Sequence, residues 1–391
     1  MILNSKAFWG VFLKLFVGSI YYYVSNMITK TCGYASYYDP LAPTSAPSGK
    51  IRCQNGETQF KKTFFVSTVV FGSMCLAMLY FVIFRMKRAD PKTYSRRMIL
   101  LMFIPSILEC VAFCLGIYAQ SIMSLSLSMI MKGAKVIFSA IFTVTFLKRK
   151  QYPFHWFSVA FCLVGLAIAG ASEYLNADGN AGYIILGCSL LLASECMKAF
   201  HVIYDEKMLK SYKCDTMFVV GMEGIYSIIF LVPTLFLAWL VIPGKDGGSL
   251  ENLEDTFYRI SNSNILTVLL SILPIVVVVL AIAGVMIIKY LTGVHNALIS
   301  VLRSVVAWAL ELILYYSLPA YLAAQYGVPW EKYSPLKLVG FVMVILATLM
   351  YDGTLKIRKL FYYPESPEKK DQEQADKPSR SEEELIIVNQ H

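Results

Sequence analysis

Lys132 and Lys135 stand three residues apart in SLSMIMKGAKVIFSAIF, a stretch from Ser126 to Phe142 that is otherwise almost wholly apolar. The i, i+3 spacing puts both ammoniums on one helix face. A lysine at mid-membrane costs roughly 2.5–3.5 kcal/mol on insertion scales, so such charges mark a substrate or ion pathway, or a structural pair. Arg303 sits in a second apolar stretch, SVLRSVVAWALELILYYSL. Arginine offers a bidentate fork and lysine a point charge, and both suit an oxyanion. Lys132 and Arg303 each lie about nine residues inside their helices, too deep for easy snorkelling. The chemistry is capture of a phosphate, carboxylate or sulfonate. Pairing with an intramembrane carboxylate is the competing reading.

Several carboxylates could be that partner. Glu109 is central in SILECVAFCL, where it is either paired with a cation or protonated, the latter making it a proton carrier. Glu195, Lys198, His201 and Asp205 follow spacings of three, three and four, one stripe of a helix. Glu195 and Lys198 can satisfy each other. His201 can titrate or be a hydrogen-bonded core histidine. Asp205 is expected to be solvated at the helix end. Glu223 sits in GMEG, where small residues let another backbone approach. It reads as a substrate contact or as part of a helix-packing seam. Glu311 is expected to be a gate or a pair rather than a ligand.

These residues need helices to hold them, and the composition supplies them. The chain has 391 residues, 57% hydrophobic and 16% charged, which is a polytopic membrane composition. Ten spans are predicted: Trp9–Met27, Phe64–Phe84, Met98–Tyr118, Met123–Phe146, Trp156–Ser172, Tyr183–Tyr204, Met217–Val241, Ile265–Ile288, Val294–Tyr316 and Leu338–Met350 with its flanks. The first is read as a span rather than a cleavable signal. Pro105, Pro233 and Pro274 fall inside spans and would kink or break them. Basic residues cluster in FRMKRADPKTYSRR, at KRK (148–150), at Lys207, Lys210 and Lys213, and at Lys356, Arg358 and Lys359. All fall on one side, which puts both termini in the cytosol. The loop 28–62 dissents with five basic residues. The net charge of +9 is thus explained by topology and implies no nucleic-acid partner. Cys32 and Cys53 share the loop 28–62 and are a candidate disulfide; no cysteine or histidine spacing fits a metal motif. The tail 364–391 is polar and is read as disordered. Its SEEELII resembles an acidic dileucine signal, which makes Leu385 and Ile386 a candidate contact for a sorting adaptor.

MIMKGAKVIFSAIFTVTFL can be laid beside SVLRSVVAWALELILYYSL, with Lys132 on Arg303, and AFCLVGLAIAG beside GFVMVILATLM. An odd five-span unit used twice gives halves of opposite orientation, the inverted-repeat plan of secondary transporters. The halves are 1–174 and 181–355. GSI (18–20), CG (32–33), KGAKVIFSAIFTVTFLKRK, DEKML, GMEG and LRSVVAWALELIL together resemble the drug/metabolite transporter superfamily. Within it, the chain is most similar to solute carrier family 35, subfamily F, near the chloroquine-resistance-transporter-like proteins. The resemblance covers roughly residues 8–355. It implies an all-α fold of ten helices in two inverted five-helix repeats, with alternating access to a central cavity faced by Lys132 and Arg303. Lys135 and Lys198 depart from the family pattern as extra cations, as do His201 and Glu195 where amides are expected.

The intramembrane protease partner motif GxGD, HExxH and GxSxG are all missing, so an enzyme is not expected, nor any cofactor or metal. The reading is a secondary transporter of a small anionic or zwitterionic solute in an endomembrane. Substrate binding falls to Lys132, Lys135, Arg303 and Glu223, and coupling or pairing to Glu109, Glu195, Lys198 and His201. A lysosomal or vacuolar location is favoured over Golgi or endoplasmic reticulum. A nucleotide-sugar antiporter and a non-transporting receptor or scaffold stay open, as does a homodimer. Membrane lipid and the solute are the expected partners.

Overall fold

A computed structural model describes residues 5–36, 57–85, 94–122, 132–174, 184–317 and 329–356. Among them, nine helices are long and apolar enough to cross a membrane. Their outward faces carry apolar side chains such as Ile275, 67% exposed, a placement stable only in lipid. The chain is an all-α polytopic membrane protein, with three short strands outside the spans among the described residues.

Helix α1 runs Ser5–Lys30. Strands β1 (Cys32–Tyr34) and β2 (Glu57–Gln59) pair antiparallel, Gly33 opposite Thr58. Helix α2 (Thr63–Tyr80) continues as one π turn to Arg85. The predicted third span is broken into α3 (Arg96–Leu101) and α4 (Phe103–Ile122). Pro105 has no N–H for the carbonyl of Leu101 four residues back. The Tyr204 hydroxyl donates to that carbonyl instead, at 3.3 Å. Pro233 and Pro274 leave their helices continuous. Of the fourth span, Lys132 and α5 (Ala134–Thr145) are described, and 123–131 lie outside the described residues.

The remaining helices are α6 (Pro153–Tyr174), α7 (Ile184–Tyr212), α8 (Thr216–Leu240), α9 (Leu253–Asn262), α10 (Asn264–Tyr290), α11 (Gly293–Ser317) and α12 (Ser334–Tyr351). The last begins at Ser334, within the flank expected before Leu338, with Pro335 in its first turn, where a missing N–H costs nothing. Asp215 and Ser263 cap α8 and α10 by accepting from Met217 N and Leu266 N.

Helices pack α1 on α10, α4 on α7, α2 on α8, α6 on α12, α5 on α7 and α1 on α11. Glycines set two of these seams. A Cβ on Gly221 would lie 2.5 Å from Met78 Cβ, and one on Gly224 would lie 2.8 Å from Cys75 N. The GMEG stretch is therefore the place where α8 meets the backbone of α2. Gly165 faces the carbonyl of Gly340 across the α6–α12 seam in the same way.

Helix α9 was not expected. Asn252 caps it by accepting from the N–H groups of Glu254 and Asp255, whose acidic side chains suit the first turn. It anchors the loop between α1 and α2. Asp255 receives Ser36 N at 2.7 Å and pairs with Lys62 and Arg259 at 2.7 Å each. Arg259 donates to Thr58 O at 3.0 Å, and Lys62 also pairs with Asp246. Glu251 accepts from Phe64 N and Phe65 N at 2.8 and 2.7 Å, so a carboxylate from the second half closes the N-terminus of α2. Burial raises Asp255, but Lys62, the Ser36 amide and the Arg259 charge together hold it below the ordinary aspartate value. Cys32 is disulfide-bonded; Cys53 lies outside the described residues, as does the tail with Leu385 and Ile386.

Candidate functional site

The predicted site residues lie on five helices. Lys132 precedes α5 and Lys135 lies on it, Arg303 lies on α11, and Glu195, Lys198 and His201 lie on α7. Glu109 comes from α4 and Glu223 from α8. Lys132 is within Coulombic reach of Arg303, Lys198 and Glu195, and Lys135 of Arg303, Glu195, Lys198 and Glu109. Arg303 packs on α1 where Gly18 leaves room, since a Cβ there would overlap Arg303 Cδ. Tyr21 and Tyr22 also lie within Coulombic reach of Arg303.

Lys198 pairs with Glu195 at 2.9 Å, the i, i+3 pair expected from the stripe on α7. Gly116 on α4 makes space for that ammonium: a Cβ there would stand 3.0 Å from Lys198 Nζ and 2.9 Å from Ser194 Oγ. Ser194 Oγ donates to Ala112 O at 2.6 Å and ties α7 to α4.

A second charged centre lies on the same helix. His201 Nε2 is 3.0 Å from Asp205 Oδ2, 3.3 Å from Glu223 Oε1 and 3.6 Å from Glu109 Oε2. Asp205 is 1% exposed, which corrects the expectation that it is solvated. The reason is geometric: the i, i+4 spacing stacks it over His201 inside the bundle rather than beyond the helix end. Asp205 Oδ2 and Glu223 Oε1 share His201 Nε2, and Glu109 Oε2 has no hydrogen-bond donor among the described residues.

Two more groups escaped the sequence reading. Lys14 on α1 is buried and donates to Asn296 O at 3.3 Å and to the Asn296 side chain. It was visible as a lone lysine in GVFLKLF, inside the first span. Glu206 is fully buried, one residue past Asp205. It accepts from Gly293 N at 2.7 Å and from Lys210 at 2.6 Å, and pairs with Arg149 at 2.9 Å. Those contacts join the end of the first half of the chain to the start of α11. Glu311 is buried on α11 and lies within Coulombic reach of Tyr23.

A cluster of intramembrane cations beside buried carboxylates can hold an anionic group and exchange protons. Comparison with known proteins supports a transmembrane solute transporter. Residues 57–244 match the Triose-phosphate Transporter family. The chain is 24% identical over 289 residues to Solute carrier family 35 member F6 of Rattus norvegicus, covering 71% of this chain and 74% of that one. It is 24% identical over 261 residues to the Homo sapiens protein of that name, covering 65% and 67%. Over 135 residues it is 26% identical to the UDP-galactose/UDP-N-acetylglucosamine transporter srf-3 of Caenorhabditis elegans, covering 34% and 36%. A solved crystal structure superposes with a TM-score of 0.52 at 11% identity, over 88% of this chain and 96% of that one, a likeness of fold. The chain is thus similar to solute carrier family 35, on the side of subfamily F, and over residues 57–244 to the Triose-phosphate Transporter family.

Proposed function

We propose that this transmembrane solute transporter moves a small anionic or zwitterionic solute by alternating access between two inverted repeats, 1–174 and 181–355. The observation that carries the anion reading is the convergence of Lys14, Lys132, Lys135 and Arg303 from α1, the α5 segment and α11. The matched family is named for a phosphate ester, and one matched relative for nucleotide sugars, so both names point to phosphate.

The repeat reading is supported by packing. Exchanging α1 with α7, α2 with α8, α4 with α10, α5 with α11 and α6 with α12 maps the α1–α10 contact onto α7–α4. It also maps α5–α7 onto α11–α1 and α2–α10 onto α8–α4, and each of these contacts is present. A molecule with an internal pseudo-twofold axis packs in this way. Counting the α5 segment as a span gives ten, with both termini on the cytosolic side by the positive-inside rule.

Glu109, His201 and Glu223 supply buried titratable groups for proton coupling, which suits an acidic lysosomal or vacuolar compartment. A nucleotide-sugar antiporter of Golgi or endoplasmic reticulum is the second reading, favoured by the similarity to the named nucleotide-sugar transporter. A catalytic role has no support from the site, and a scaffold has no use for the cations.

The test is uptake by the full chain in proteoliposomes, with nucleotide sugars, amino acids, short peptides and organic anions, with and without a pH gradient. Wild type is expected to take up an anionic or zwitterionic solute, and Lys132→Ala and Arg303→Ala to lose it while remaining folded. Undiminished uptake in both variants would make these cations architectural. Dependence on the gradient separates proton coupling from exchange.

A further inference from the structure

We propose that Glu109, His201, Asp205 and Glu223 form an intramembrane site for a divalent transition-metal cation such as Zn²⁺. The inference does not depend on the solute or on the direction of transport, and it gives these groups a metal in place of the coupling proton.

The donor set is one imidazole nitrogen and three carboxylates from three helices. Glu109, His201 and Glu223 each present a ligand atom within 4.8 Å of the other two. Asp205 adds a fourth group on the same nitrogen. In a tetrahedral zinc site, bonds of about 2.0–2.2 Å place ligand atoms roughly 3.3–3.5 Å apart. The three carboxylate oxygens stand 3.0, 3.3 and 3.6 Å from His201 Nε2 and bracket that spacing. His201 and Asp205 are i, i+4 on α7, the spacing at which one helix offers two ligands to one ion.

Hydrogen bonding alone leaves the cluster unsatisfied. The ring nitrogen carries at most one proton, and Glu223 is its hydrogen-bond partner at 3.3 Å. Asp205 Oδ2 must share that one nitrogen with Glu223, and Glu109 Oε2 remains buried with no donor among the described residues. A buried acceptor in that state costs about 1–3 kcal/mol, and more when charged. Asp205, 1% exposed and turned toward His201, competes with Glu223 for the one ring proton. A cation among Glu109, His201 and Glu223 would give Glu109 Oε2 a partner, with Asp205 beside it against His201. It would also lower the charge: three carboxylates and a neutral imidazole with a divalent ion leave one negative charge. The ammonium of Lys135, within Coulombic reach of Glu109, can offset that charge. A nitrogen donor among carboxylates suits zinc, manganese, iron or cobalt better than calcium or magnesium, which take oxygen ligands.

The test uses the full chain in nanodiscs, stripped with a chelator and titrated with ZnCl₂ and CoCl₂. Binding is read by isothermal calorimetry, by thermal midpoint, and by the visible absorption of bound Co²⁺, which reports its geometry. Wild type is expected to bind one equivalent with a raised thermal midpoint, and MgCl₂ to give no shift. His201→Gln and Asp205→Asn are expected to weaken binding at least tenfold, and His155→Gln, outside the cluster, to leave it unchanged. Glu109→Gln, a partly exposed position, carries the test where a buried substitution prevents folding. Failure of wild type to bind one equivalent of any transition metal would overturn the proposal and leave the cluster a proton site. Binding undiminished in the cluster variants would overturn it equally.

Discussion

Arg303 on α11 lies against Gly18 on α1, so closely that any Cβ at position 18 would overlap the arginine Cδ. The glycine is a space-holder for a cation on a different helix. Gly18→Ala should push the guanidinium off its position and reduce solute uptake several-fold while the protein stays folded. Gly72→Ala is the control, because its added methyl would meet Ile228 at 3.4 Å, an ordinary contact. Uptake by Gly18→Ala equal to that by Gly72→Ala would remove Arg303 placement from the mechanism.

The GMEG stretch makes a different prediction. At Gly221 and Gly224 a methyl would meet the backbone of α2, not a side chain that can swing away. Overpacking of this kind costs typically 1–3 kcal/mol, with backbone shifts at the upper end. Gly221→Ala should lower the thermal midpoint of the purified protein clearly more than Gly72→Ala, with α2 and α8 spreading apart. Equal midpoints would mean that the seam is looser than described.

Glu251 predicts a pH dependence outside the membrane. Burial raises its carboxyl to about 7, against the Phe64 and Phe65 amides and the Lys62 charge, which favour ionisation. A folded-state value above the unfolded one means that the folded chain binds the extra proton. Its contribution to stability is therefore full below about pH 4.5 and is lost as pH rises through 7. The change is on the order of 3 kcal/mol between those limits. Thermal midpoints of wild type should fall from pH 5 to pH 8, and Glu251→Gln should flatten that slope. An unchanged slope in the variant would assign the pH dependence to other groups.

Glu206 and its partners separate buried from exposed charge. Glu206 is fully buried under Arg149, Lys210 and Gly293 N. Glu206→Ala leaves the buried Gly293 N–H without its acceptor, which costs about 1–3 kcal/mol, while the exposed Arg149 and Lys210 can turn to solvent. Lys210 has 39% of its side chain exposed, so Lys210→Ala should cost under about 1 kcal/mol. Chemical denaturation in mixed micelles ranks the two, and a reversed order would refute the weight given to the buried Glu206–Gly293 contact.

Much of this protein was legible in its sequence because the bilayer imposes a one-dimensional rule. A span must be about 20 apolar residues with its backbone bonded internally, so spans, glycine seams and the lone cations at Lys132 and Arg303 stand out along the chain. The i, i+3 pairing of Glu195 with Lys198 is equally local. The sequence does not say which helix faces which. Lys14 meets Asn296 across 282 positions. His201 gathers Glu109 and Glu223 from helices far away in the chain, and that gathering is what buries Asp205. Helix α9 had a readable start in Asn252, Glu254 and Asp255, but its purpose, holding the loop between α1 and α2, exists only once Asp255 meets Lys62 and Ser36. Periodicity names the face of a helix; only packing chooses the neighbour, and the chemistry of both charged centres depends on that choice.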